Sequence, residues 1–225
     1  MKKKMDMVPP RMVPRKLSST SEKTSSPTST STPPAVTPIK TLSSYVDVDK
    51  LRQHKDSKDI ELIWRAGHTK DNLLCAVIPT PIYQRMTALA RDHPMFILPL
   101  PRDSGVEIHF MEFKFPKPKV THIIFTSLLE YKTHGEYARP HTTIMHFEDF
   151  SDERGIVLMR GEMDPTLKAV SQDDARLLVM HVQKLYGSDP EHEKAKTRRK
   201  LIEDFTKGSG DFDVNILMDE LNRIE

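Results

Sequence analysis

The 225-residue sequence predicts an α+β fold: one central, mainly antiparallel sheet flanked by helices, behind an N-terminal tail. Three observations carry this. Between Phe96 and Gly161, short apolar or alternating runs follow one another closely. Parallel pairing needs crossovers of a dozen or more residues, so strands this close form an antiparallel meander. From Ser171 onward, apolar residues recur at helical spacing. Residues 18–44 hold sixteen Ser/Thr and four prolines, with almost nothing to bury. Such a stretch cannot recover its ordering entropy, so the domains are drawn as a disordered tail over 1–44 and a folded domain over 45–225. That folded part is of single-domain size.

In chain order, Asp47 or Asp49 caps a short helix, and Lys58–His68 reads as a second, with Ile60, Ile63 and Trp64 on one face. Leu73–Ile78 is a short apolar strand. Pro79 and Pro81 suit a helix's first turn; that helix runs to about Arg91, with Tyr83, Met86, Leu89 and Ala90 inward. Phe96–Leu100 is a strand, and Asp103-Ser104-Gly105 a turn. Val106, Ile108 and Phe110 alternate with Glu107, His109 and Met111, the period-2 pattern of a half-buried strand. Phe115–Lys119 breaks the run and leaves Lys117 and Lys119 at an exposed tip. Val120–Leu129, apolar on both faces, reads as a central strand, followed by strands Thr142–Phe147 and Gly155–Gly161. Ser171-x-x-Asp174 opens a helix whose stripe (Ala175, Leu178, Val179, Val182, Leu185, Tyr186) stops at Gly187. Glu191–Phe205 reads as a charged, exposed helix, Gly208-Ser209-Gly210 as a hinge, and Phe212–Ile224 as a last amphipathic helix.

Composition narrows the function classes. The net charge of +2 combines +6 over residues 1–44 with −4 over the remainder. A mildly acidic domain argues against nucleic acid, whose binding rests on phosphate neutralisation. Cys75 is the lone cysteine, which rules out an internal disulfide and a cysteine-based zinc cage; it reads as a small core residue. No run approaches the length of a membrane span, so no stable membrane insertion is expected. The basic, acid-poor leader reads either as an organelle transit peptide or as a plain flexible tail.

Catalytic patterns are missing. The ten histidines lack His-Glu-x-x-His spacing, and His134, His141 and His146 have no regular spacing, so surface or strand histidines are expected. Ser104 and Ser209 lack the flanks of a nucleophile elbow. Glu148/Asp149 and Asp152/Glu153 read as a solvated turn, not a general acid/base pair. The middle of the chain holds seven of the nine phenylalanines, which either fill the core or form a partner surface.

Several blocks together resemble one family. These are Ile60-Glu61-Leu62-Ile63-Trp64, Phe96 through Gly105, Leu129 through Pro140, Gly155-Ile156-Val157-Leu158-Met159-Arg160-Gly161-Glu162, and Phe205 with Phe212-Asp213. In this order they resemble the mitochondrial ATP synthase assembly factor family, which chaperones the free beta subunit of the catalytic head, the F1-ATPase. The chain departs from it at Phe115–Lys119 and in its tail. The resemblance implies a non-enzymatic, monomeric chaperone of the mitochondrial matrix, without cofactor or metal. It would shield the alpha-facing interface of unassembled beta subunit until the alpha subunit replaces it. In that setting the leader reads as a transit peptide. The partner-binding residues expected on the sheet and its rim are Arg102, Phe113, Phe115, Tyr131 and Tyr137. Two other readings remain: an adaptor with a phosphorylatable regulatory tail, and an enzyme with a non-motif site, which would need a deep pocket with perturbed titrating groups.

Overall fold

The computed structural model describes residues 39–69, 73–103, 105–167 and 169–223. The disordered tail expected over 1–44 lies, up to residue 38, outside the described residues. From Lys40 onward the chain forms one compact unit. A 3-10 turn at Leu42–Ser44 already buries Leu42, three residues before Tyr45.

The helices are α1 (Val48–Arg52), α2 (Ser57–Ala66), α3 (Thr80–Asp92), α4 (Leu128–His134), α5 (Ser151–Arg154), α6 (Gln172–Tyr186), α7 (Glu193–Lys207) and α8 (Val214–Asn222). The strands are β1 (Leu73–Pro79), β2 (Met95–Arg102), β3 (Gly105–Lys117), β4 (Val120–Ser127), β5 (Thr142–Phe147) and β6 (Ile156–Met163). They form a six-stranded sheet in the order β1-β6-β5-β4-β3-β2, with every neighbouring pair antiparallel. Consecutive strands β2 to β6 form the expected meander, and β1 lies beyond β6 at the other edge.

Directly opposed residues share a face, so the register assigns the two faces. Phe113, Ile123, Ile144, Gly161 and Leu74 form one row across five strands. Phe96, Met111 and Phe125 begin the next. This first face is closed by α3, α6, α7 and α8, through residues such as Met86, Leu178, Tyr186, Ile202 and Leu217. Gly161 is where the row is tightest. A Cβ there would lie 2.7 Å from Ile144 Cδ1 and 3.0 Å from Leu74 Cβ. The second face is covered at one end by α2, whose Trp64 packs on Phe147 and donates its indole N–H to the Met159 carbonyl at 3.0 Å. At the other end α4 lays Tyr131 against Phe110, with ring centroids 5.1 Å apart.

Local capping follows the sequence. Asp47 and Ser171 accept from the backbones of Lys50 and Asp174, and Pro81 lies in the first turn of α3. Several expectations are corrected. In β3 the buried set is His109, Met111 and Phe113, whereas Val106 is exposed and Ile108 and Phe110 are half-buried. With apolar residues in both alternating sets, burial went to the set facing the helix layer. The strand also continues through Pro116 to Lys117, because a register shift between Lys114 and Lys117 absorbs the proline. Leu128 and Leu129 leave the central strand, since the Ser127 side chain accepts from Glu130 N–H at 3.1 Å and caps α4. In α2, Ile63 is exposed.

Helix α7 is not exposed all round: Ala195, Arg198, Leu201 and Ile202 are buried. Arg198 belongs to that buried stripe, 3.6 Å from Glu220 of α8, and this charge in the stripe hid it from an apolar count. Gly208 is no free hinge, since at φ 64° it ends α7 while Ser209 N–H donates back to the Asp204 carbonyl. Of the histidines expected at the surface or in strands, His109 and His146 lie in β3 and β5, and both are buried, as is His141. Ser104 of the β2–β3 turn lies outside the described residues.

At the β3–β4 tip Lys119 takes a left-handed φ of 62°. A side chain there carries a local cost that glycine avoids, of about 1 kcal/mol or more. Lys119→Gly is therefore expected to raise stability by up to about 1 kcal/mol, read as a higher urea midpoint; a lower midpoint contradicts the strain.

Candidate protein-docking surface

The segment Leu128–Pro140 is a short rigid outcrop on the second sheet face. The Ser127 cap starts α4, and Gly135 at φ 58° ends it, where a Cβ would be strained. A 3-10 turn over Gly135–Tyr137 follows. Arg139 then pins the return: its N–H donates to Glu130 Oε1 at 3.1 Å, and its guanidinium donates to Asp164 at 2.7 Å and to Thr166 at 3.0 Å. The Thr166 and Arg139 bonds hold Asp164 below the usual carboxylate range.

With its backbone fixed, this outcrop points large apolar groups outward. Leu129 is 72% exposed and Tyr137 is 82% exposed. Tyr131 is half-buried on Phe110. On the same sheet face, Val106 of β3 and Met95 of β2 are also exposed. Apolar side chains held out on a fixed frame suit association with another protein, because little conformational freedom is lost on binding.

The five residues expected at a partner surface do not come together. Tyr131 and Tyr137 lie on this outcrop. Arg102, Phe113 and Phe115 belong to the opposite, helix-covered side. Phe113 is 4% exposed, with its ring 5.1 Å from that of Tyr186, and as core it leaves the candidate surface. Phe115 is half-buried under the Arg91 guanidinium, 4.5 Å from the ring centroid. Arg102 bridges Asp174 of α6 at 2.8 Å and Glu107 of β3 at 2.9 Å. Those bonds, Asp174 first, hold the guanidinium more firmly protonated. Burial alone would raise the Asp174 carboxyl, but Arg102 and the Ser171 N–H keep it low. Arg102 thus ties α6 to the β2–β3 hairpin. Leu129, Val106 and Met95 were missed in the sequence, where Leu129 and Val106 read as parts of strands and Met95 falls just before the strand Phe96–Leu100.

Beside that bridge lies a buried polar pair. His109 Nδ1 and His141 Nε2 are 3.0 Å apart, and burial, with His109 and Arg102 adding to it, pushes the His141 pKa down to about 3. Among the described residues no group of three or more His, Cys, Asp or Glu is placed to hold a metal ion. A surface cleft of about 740 Å³ adjoins His141, lined by Arg139, Arg160, Glu162 and Asp164 among others. Its cations are committed to its anions, Arg139 to Asp164 and Arg160 to Glu162 at 3.0 Å.

Sequence comparison bears on the same segments. The chain matches the family model described as "ATP11 protein" over residues 2–218. It is 42% identical over 185 residues to "Protein atp11, mitochondrial" of Schizosaccharomyces pombe, covering 82% of this chain and 63% of that protein. It is 29% identical over 184 residues to "ATP synthase mitochondrial F1 complex assembly factor 1" of Homo sapiens, covering 82% of this chain and 52% of that one. The protein of the same name from Mus musculus is 31% identical over 150 residues, covering 67% and 44%. The chain therefore spans 44–63% of the length of these relatives. The family match takes in the whole sheet, the α4 outcrop and the first five residues of α8, and on that extent the chain belongs to the ATP11 protein family.

Proposed function

We propose that this protein is a non-enzymatic assembly chaperone of the mitochondrial F1-ATPase. It binds unassembled beta subunit in the matrix, as a monomer, and covers the alpha-facing interface until alpha displaces it. The observation that carries this reading is the fixed apolar outcrop, Leu129 and Tyr137 above all, in a member of a family whose relatives bear the name of F1 assembly factors. A ring subunit without its neighbour exposes an apolar interface prone to aggregate. Covering it requires contact area and reversibility, and no bond chemistry.

The test is co-purification of the full chain with unassembled beta subunit, followed by excess alpha subunit. Capture followed by release on adding alpha is the expected result. A folded chain that captures no beta subunit overturns the reading. The outcrop has its own prediction. Leu129→Asp combined with Tyr137→Asp alters two exposed side chains, so the melting temperature should hardly move. Capture should weaken by roughly 30-fold or more, the effect of losing about 2 kcal/mol at an interface anchor. Unchanged capture by the folded double variant assigns binding to another surface.

A further inference from the structure

The two edges of the sheet are treated differently. Edge strand β2 carries Pro99 and Pro101, each of which removes a backbone donor and blunts the edge. Edge strand β1 reads Leu73-Leu74-Cys75-Ala76-Val77-Ile78 and has no proline before Pro79. Among the described residues it pairs with β6 alone.

Two bonds show which way its peptide groups point. Thr80 N–H donates to the Gly155 carbonyl at 2.9 Å and continues the β6 ladder. Even-numbered residues therefore face β6. The Leu73 carbonyl instead accepts from the Gln172 side chain at 2.9 Å, from outside the sheet. Alternation then turns the N–H and C=O of Leu73, Cys75 and Val77 outward. Among the described residues, Gln172 supplies the one bond to that row. Cys75 and Val77 are half-buried, so the edge is reachable.

The walls beside this edge are apolar and cationic. Arg65 of α2 and Arg176 of α6 both act on the Cys75 thiol, favouring its ionised form against the larger opposing effect of burial. One turn from each guanidinium stands an exposed apolar side chain, Leu62 on α2 at 67% and Met180 on α6 at 63%. An added strand would alternate its side chains between the two faces, one set meeting Leu62 and Arg65, the other Met180 and Arg176. Each arginine is shared with a carboxylate of its own helix, Glu61 or Asp173. The two charges acting at Cys75 are nevertheless both positive. A second copy paired across a two-fold axis would bring Arg65 to Arg65 and Arg176 to Arg176. A different chain with an apolar segment and a carboxylate is the complementary occupant.

We infer that the β1 edge is a strand-addition site, which takes an extended apolar segment of an unassembled protein subunit as a seventh strand of the sheet. This rests on the chaperone reading for the source of the segment, and it is a surface separate from the α4 outcrop.

Hydrogen–deuterium exchange on the full chain tests it, alone and after mixing with F1 beta subunit diluted from denaturant, and in a parallel arm with alpha subunit treated likewise. The Cys75 and Val77 amides should exchange rapidly in the free chain and slow at least tenfold with a captured subunit. Val77→Pro removes one outward donor and leaves the β6 ladder intact, so it should fold and capture at least tenfold less. Leu62→Asp with Met180→Asp, both exposed, should lower capture in the same way if the proline variant fails to fold. Slow exchange already present in the free chain overturns the proposal; native mass then shows whether its own chain (monomer) or a second copy (dimer) covers the edge. Capture without added protection, with both sets of variants capturing normally, also overturns it and leaves the chaperone reading standing. Protection by alpha subunit with no capture of beta keeps the edge site and removes beta as the partner. No protection by either subunit overturns the edge site.

Discussion

Lowering the pH from 7 to 5 is expected to remove much of the stability of this fold. His141 and His146 are each 2% exposed, and burial pushes both pKa values down to about 3. His181, inside α6, is pushed down to about 4, again mainly by burial. In the unfolded chain each returns to about 6.5. Between those values the unfolded state binds protons that the folded state refuses. Stability therefore rises with pH across this window and is lost as pH falls below about 6.5, by about 1.4 kcal/mol per pH unit for each histidine. Three such groups reach about 6 kcal/mol by pH 5, against a typical total of about 5–15 kcal/mol. The lowered carboxyls of Asp174 and Glu203 act only in more acidic solution, since ordinary carboxyls titrate near 4. Melting temperatures at half-unit steps from pH 8 to pH 5 read the effect directly. A flat profile between 7.5 and 5.5 would mean the imidazoles take up protons without leaving the fold. His181→Leu removes one such group and should reduce the slope by at most about a third, since burial also holds His68, His109 and His122 low.

The second large effect is expected at Trp64. The indole is 1% exposed, packs within 4.2 Å of the His68 ring centroid and meets Phe147 edge-on at 6.4 Å. Its N–H is used by the Met159 carbonyl in β6. Trp64 therefore fastens α2 across the second sheet face. Trp64→Ala removes the ring and leaves a cavity beside Phe147, at a cost of about 3–5 kcal/mol. Trp64→Phe keeps most of the packing and loses the hydrogen bond, at about 1–2 kcal/mol. Urea unfolding followed by circular dichroism checks both, because Trp64 is the single tryptophan and its fluorescence disappears with it. Equal losses for the two variants would show that the hydrogen bond, not the ring, holds α2.

Much of the local structure was legible in the sequence. Caps at Asp47 and Ser171, the proline-led start of α3, the glycine stop at Gly187 and the closely spaced strands are signals that act within a few residues. They sufficed for the α+β class and the antiparallel meander. The family was legible too, since its blocks fall on α2, β2, α4 and β6 in order. Legibility ended where burial depends on distant elements. In β3 both alternating sets are apolar, and the choice between them was made by α3 and α6, the latter more than 50 residues away. Arg198 lies within an apolar stripe because α8 brings Glu220 to it. The buried histidines carry no mark in a sequence that also holds exposed ones such as His134.

The candidate surface divides in the same way. Sequence alone determined that a block resembling the family, Leu129 through Pro140 with its two tyrosines, follows the central strand, and that the chain contains no familiar arrangement of catalytic or metal-binding residues. Only the tertiary structure decided that Tyr131 and Tyr137 stand on one face while Arg102, Phe113 and Phe115 belong to the other. The same holds for the β1 edge, whose peptide groups face outward while prolines guard the edge at β2. Side-chain pattern reports which residues prefer burial, but which face is covered, and which edge is left unpaired, depends on where remote helices and strands come to rest.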